Sequence, residues 1–331
     1  MAASLRSSVP LAVLTVLAVS AAGGAFQPRV ARAAARADAA RITASANVTL
    51  RALPSASAPA VASLPLGTEV TEAGPAGLDK TWVRVKLADG REGWLLASLT
   101  RTVDPAWRWA TFDRIITDRL GRKGDGFPAV VELVAFIERV SGEYTNPDGQ
   151  AQVELARLRA MAAAAAKVPP RSSTREPYAS WLSARKNDLV FDAPGGRWIL
   201  AERTIWERHA RHAATPTADE IAWFAVTNGL GGECEGYLPC YLDSRNRLQG
   251  EYLRRHPAGR RAAEAVSIIK NTVDILAVPA KPHEAYEFDR KRDCQMVMKS
   301  IDTLTTAVEG ARVTARDAAL ASLGSLRRIC Q

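Results

Sequence analysis

Histidine, cysteine and methionine number only four each in 331 residues, and aromatics make up 6% of the chain. So few histidines argue against a histidine-rich metal centre. Four cysteines are too few for a disulfide-built scaffold. The scarcity of aromatics, set against abundant Ala and Arg, favours helix over a large β-sandwich. After the first thirty residues no apolar run is long enough to span a bilayer, which excludes a multi-span membrane protein. What is present is ordinary globular material, 47% hydrophobic and 24% charged, which excludes a wholly disordered chain. At roughly 100–200 residues per domain the length accommodates two or three domains. A formal net charge of +9 would draw the protein to anionic surfaces. The charge is spread along the chain, however, and reads first as a solubilising feature.

The N-terminus carries an address. Arg6 is the first charge and Arg29 the next, and Val9 to Ala22 is nearly continuous apolar residue before Gly23-Gly24-Ala25. A basic start, a hydrophobic run and small residues describe a secretory signal peptide at residues 1–25, cleaved after Ala25. Ala22 and Ala33 are the other candidate cleavage points. The rival reading is an uncleaved membrane anchor, since Val9 to Phe26 could cross about 30 Å of hydrocarbon. No cysteine lies near the cleavage zone to carry a lipid. Residues 26–40 read as a linker. The expected location is therefore the periplasm or the cell exterior.

In an oxidising compartment Cys234, Cys240, Cys294 and Cys330 read as two disulfides. Three pairings are open. The preferred one joins Cys234 to Cys240 across a short loop and Cys294 to Cys330 near the C-terminus. Zinc ligation is disfavoured because the spacing does not match.

From residue 41 to 103 short apolar runs alternate with turn residues. Val83, Val85 and Leu87 alternate with Arg84 and Lys86, the period of a strand with one buried face. Asp89-Gly90 is a hairpin signal. Four or five such strands in about 60 residues imply a small barrel.

The residues of this barrel carry a resemblance. Leu50-Arg51 precedes Pro54-Ser55; Val61, Leu64-Pro65, Gly67-Thr68 and Val70 follow; then come Trp82-Val83, Val85, Asp89-Gly90-Arg91 and Gly93-Trp94-Leu95. In order and spacing, residues 42–101 resemble the bacterial SH3 (SH3b) domain, with Leu53 where that family commonly has Gly. The resemblance implies a binding or spacing module of exported proteins at the cell envelope, in some cases on peptidoglycan peptides. The barrel holds no Tyr or Phe, so an aromatic contact surface rests on Trp82 and Trp94. Trp82, between Thr81 and Val83 on a strand, reads as core. Trp94 is the better binding candidate, with Asp89 and Arg91 of the adjoining hairpin.

Beyond Val103 the period becomes helical. Trp109, Phe112, Ile116 and Leu120 recur at three and four, as do Val130, Leu133, Val134 and Ile137. An Ala-rich helix over 150–167 ends at Val168-Pro169-Pro170, and residues 168–177 mark a candidate domain break. A β-hairpin is expected around Ala193-Pro194-Gly195-Gly196. Helices resume over 203–213, 218–229, 238–255, 258–277 and 284–328. The junction at His256-Pro257 weakly resembles those of TPR-like repeats, but no second copy recurs at a fixed period.

Catalytic signals are absent from the sequence. G-x-S-x-G does not occur, GRKGDG lacks a Walker ending, and His283-Glu284 has no second histidine to complete H-E-x-x-H. His209 and His212 read as surface residues among Arg208 and Arg211. Trp181, Trp198, Trp206 and Trp223 read as core. The basic cluster Arg254, Arg255, Arg260 and Arg261 lacks the interleaved aromatics of a nucleic-acid site. Glu233, Glu235 and Tyr237, in the loop closed by Cys234 and Cys240, could form an acidic recognition surface.

The fold expected is thus a multidomain chain: a small SH3-like β-barrel over 41–103, then a mainly α-helical region with one β-hairpin over 104–331. The function expected is a non-enzymatic cell-envelope binding or scaffolding protein that contacts a peptide, peptidoglycan or a protein partner. Nucleic acid, metal and small-molecule cofactors are not expected. A cell-wall hydrolase with its site in the helical region, and an inhibitor or receptor presenting the Cys234–Cys240 loop, are the alternatives.

Overall fold

The computed structural model describes residues 39–74, 80–229, 234–277 and 286–331. The leader and most of the linker, Glu233 and His283 lie outside them.

Seven strands form one antiparallel sheet: β1 (Ala40–Thr43), β2 (Val48–Arg51), β3 (Ala60–Leu64), β4 (Glu69–Glu72), β5 (Trp82–Lys86), β6 (Glu92–Leu96) and β7 (Thr100–Thr102). Their order is β3-β2-β6-β5-β4-β1-β7. The sequence pattern anticipates four or five strands. The additional pairing comes from β7, three residues long, against β1, with Ile42 opposite Arg101. A three-residue strand is too short to display a period.

The alternation of β5 and β6 divides the sheet cleanly. Val83, Val85, Leu87 and Leu95 point inward with Val48, Leu50, Leu64 and Val70 to make the barrel core. Ile42, Ala44, Leu66 and Val103 face elsewhere. They join a second core with Phe112, Ile115, Phe136 and Ile137 of the helices. The barrel is therefore sealed onto the helical region through its own strand β1 and the loop before β4.

Three helices build that contact: α1 (Arg108–Leu120), α2 (Phe127–Val140) and α3 (Pro147–Ala165). Asn146 caps α3, its Oδ1 accepting from Gly149 N at 2.7 Å, with Pro147 as the first helical residue. The Ala-rich body of α3 permits close approach, and it packs against α2, a hairpin strand and a later helix. Val168 and Trp181 share this core, so the proline-rich segment 168–177 does not divide it.

The short α4 (Tyr178–Ala184) leads to the expected hairpin, β8 (Leu189–Asp192) and β9 (Arg197–Leu200), paired Phe191 to Trp198. Next come α5 (Glu202–Arg211) and α6 (Ala218–Asn228). The division between helical cores falls inside α6: Ile221 and Ala225 belong to the first, Ala222, Trp223 and Val226 to the second.

The second core gathers α7 (Leu238–Arg245), α8 (Glu251–Arg255), α9 (Ala262–Leu276), α10 (Arg290–Gly310) and α11 (Arg316–Arg327). Two corrections to the helix pattern arise here. The stretch read as one helix over 238–255 is interrupted by a π turn at Asn246–Gly250. The stretch read as one helix over 284–328 breaks after Gly310. Arg312 N there bonds Pro257 O at 2.8 Å, and α11 turns back against α10 and α9. Cys234–Cys240 and Cys294–Cys330 form the two disulfides of the preferred pairing. No helix of the described residues is long and apolar enough to cross a membrane.

Candidate binding face of the barrel

Period two sends Trp82, Arg84 and Lys86 of β5, and Glu92, Trp94 and Leu96 of β6, to the outer face. The register sets Trp94 opposite both Arg84 and Arg51, Lys86 opposite Glu92, and Trp82 opposite Leu96. Trp94 is half-buried between two guanidinium-bearing neighbours. Gly93 makes this possible. A Cβ there would meet the Arg51 carbonyl at 2.6 Å and Leu50 Cγ at 2.8 Å, so only glycine lets β2 close against β6.

Arg84 is tied to Glu92 at 2.9 Å. Arg51 donates from Nη1 to the Ala58 carbonyl at 2.7 Å and so holds the loop over 52–59. Leu53 projects from that loop and is 61% exposed. The face thus combines an indole, an apolar loop tip and two cations. That set suits an extended peptide carrying an apolar side chain and a carboxylate. In the sequence Arg51, Arg84 and Leu53 are named only for their place in the strand pattern and the family resemblance, not as binding residues. The alternation of β5 was the available signal for Arg84.

Trp82 is 8% exposed, as its strand position implies, yet it lies outside the barrel core cluster. Its register places it opposite Leu96, on the same side of β5 as Arg84 and Lys86. Asp89 and Arg91 satisfy each other: Arg91 Nη2 donates to Asp89 Oδ2 at 2.7 Å and its backbone N–H to Oδ1 at 3.1 Å. The Arg91 hydrogen bonds hold the Asp89 carboxyl below the usual carboxylate range. This pair clamps the hairpin turn.

The disulfide-closed loop is pinned rather than presented. Tyr237 donates its hydroxyl to Asp293 Oδ1 at 3.0 Å, and Glu287 N bonds Gly236 O at 2.8 Å. Asp293 is fully buried, and Arg292 foremost holds its carboxyl well below the usual range. Glu235 alone of the loop's named side chains is both described and exposed. Tyr237 therefore fastens the loop to the start of α10.

The histidines give a further correction. His209 is only 3% exposed, and its Nε2 lies 2.7 Å from His256 Nε2. Arg208 pairs with Glu154 at 3.4 Å and Arg211 is exposed, so a charged local sequence hid a buried ring. Among the described residues no group of three or more His, Cys, Asp or Glu could hold a metal ion. Trp181 and Trp223 are buried as expected, whereas Trp198 and Trp206 are half-buried.

No curated protein and no solved structure matches the chain. Residues 46–100, which hold β2 to β6 and the Gly93-Trp94 close approach, match the family model described as bacterial SH3 domain.

Proposed function

We propose that the protein is an exported, non-enzymatic binding or scaffolding protein of the cell envelope. Its barrel would contact a wall-linked peptide or an envelope protein through the face centred on Trp94. A bacterial SH3 domain suggests a cell-wall or peptidoglycan-binding module, and two disulfides fit an extracellular location. The observation that carries the reading is the outer face of β2, β6 and β5, where the register sets Trp94 between Arg51 and Arg84, with the exposed Leu53 in the loop that follows β2. The non-enzymatic reading draws support from the cysteines. With both bonds closed, no thiol remains for a Cys–His nucleophile.

Sedimentation with purified peptidoglycan sacculi tests this. The expected result is retention of the full chain, reduced about tenfold by Trp94→Ala. Arg84→Gln, on an exposed side chain, should weaken retention without altering the thermal transition. An unretained parent protein, or equal retention of all three, would overturn the wall-binding reading. A lytic band on a wall zymogram would overturn the non-enzymatic one.

A further inference from the structure

A groove of about 540 Å³ lies between α5, the π turn and α8, and it shares no lining residue with the barrel. It opens where the two helical cores meet: Trp206 in its wall packs against both. Junctions of this kind are favoured places for small-ligand sites, and the volume is in their usual range.

Most of its charge is already spent. Glu251 accepts from Arg254 at 2.8 Å and from Arg255 at 2.6 Å. Arg255 also stacks over the Trp206 ring at 5.0 Å. Glu202 takes Arg247 at 2.9 Å and the Trp206 indole N–H at 3.4 Å. Three lining groups are left over. Arg203 and Glu207, both exposed and both in the groove wall, have no ionic partner among the described residues; one guanidinium nitrogen of Arg203, Nη2, donates to the Asn187 carbonyl at 3.4 Å, which leaves its charge uncompensated. They sit one turn apart on α5, with the cation N-terminal to the anion, the poorer orientation for pairing with each other.

The third group is buried. Asn246 is 9% exposed and lines the groove from the π turn, a backbone irregularity common at functional sites. Its Nδ2 donates to the Ser300 carbonyl at 3.0 Å. A carbonyl only accepts, so this bond fixes the amide orientation. Asn246 Oδ1 is left as a buried acceptor with no partner. An unmatched acceptor of this kind calls for an N–H or O–H donor.

The complement of these groups is a molecule with one carboxylate, one ammonium and an amide N–H. The geometry points to a binding site for a short zwitterionic peptide, with its carboxylate on Arg203, its ammonium on Glu207 and a donor on Asn246 Oδ1. Length agrees. Side chains one helical turn apart stand about 6 Å from each other, and an extended dipeptide spans roughly 7 Å. A side chain of the peptide would lie against Trp206 and Ala210. This site is independent of the barrel face.

Calorimetric titration of the full chain with leucyl-alanine, N-acetyl-leucyl-alanine and leucyl-alanine amide tests the assignment. Leucyl-alanine should saturate the protein, and each blocked form should bind about tenfold more weakly, the worth of one charge-assisted hydrogen bond. Arg203→Gln should weaken leucyl-alanine by a similar factor and leave the amide unaffected. Glu207→Gln should do the same for leucyl-alanine and leave the N-acetyl form unaffected. Trp94→Ala should bind all three as the parent does, so that failure of the barrel reading and failure of this one are separable. No saturation up to about 10 mM, equal affinity for the three forms, or variants indistinguishable from the parent would overturn the proposal.

Discussion

His209 shows what one side chain can do to the pH response. Burial is the largest influence, and His256 and Arg255 add to it against Glu251 and Asp219, lowering its pKa from 6.5 to about 4. Burial lowers that of His256 too. At neutral pH one Nε2 of the pair carries the hydrogen and the other accepts it. Between pH 6.5 and about 4 the unfolded chain binds a proton that the folded chain refuses. Stability should therefore rise with pH across that window and fall on acidification, by up to about 3 kcal/mol for a shift of this size. Urea unfolding followed from pH 7 to pH 4 should show this slope, and His209→Gln should flatten it. A slope identical in the variant would remove His209 as its source. None of this was legible in the sequence, because the partner ring lies 47 residues away. By contrast, Trp94 was legible: Gly93 and the flanking alternation announce an outward indole on a strand.

At the scale of elements, legibility followed periodicity and length. β5 and the Asp89-Gly90 turn were readable because four or five residues alternate without interruption. β7 was not, being three residues long and specified by its partner β1. The break between α10 and α11 was hidden because apolar residues at spacings of three and four continue through Val308, Ala311, Ala315 and Ala319, while the turn is held by Pro257 from a distant junction. The cysteines were readable because spacing and compartment together favour one pairing. These elements also differ in what their bonds are worth. Cys294–Cys330 closes a separation of 36 residues, tying α10 to the end of the chain, whereas Cys234–Cys240 closes 6. Loop-closure entropy gives about 4 kcal/mol for the long loop and about 2 kcal/mol for the short one. Cys294→Ala with Cys330→Ala should therefore lower the urea midpoint markedly more than the paired substitution at 234 and 240. The reverse order would mean that the short loop acts through its Tyr237–Asp293 anchor rather than through chain entropy.

At the scale of the whole molecule, the SH3 barrel behaves as a fixed part of a larger body. Leu66 is fully buried beside Phe112 and Phe136. Its N–H donates to Glu132 Oε1 at 2.5 Å, and its carbonyl accepts from Arg139 at 2.6 Å. Arg108 spans the seam, pairing with Glu69 of β4 at 2.5 Å and with Glu143 at 3.1 Å. These contacts hold the Trp94 face in a set direction relative to the helices, which suits a scaffold better than a tethered module. They also couple the unfolding of the two parts, since separation would expose Ile42, Leu66 and Val103. Gly67 gives access to this coupling. Its φ is +76°, and a Cβ there would lie 2.2 Å from Phe136 Cδ2. A methyl group at this point must displace a fully buried ring of α2, and overpacking of that kind costs about 1–3 kcal/mol. Scanning calorimetry should show the barrel and the first helical core melting in one transition, and Gly67→Ala should move that whole transition down. If the barrel instead melts as a separate peak, and the substitution shifts that peak alone, the seam is a contact between independent domains and the fixed direction of Trp94 is lost with it.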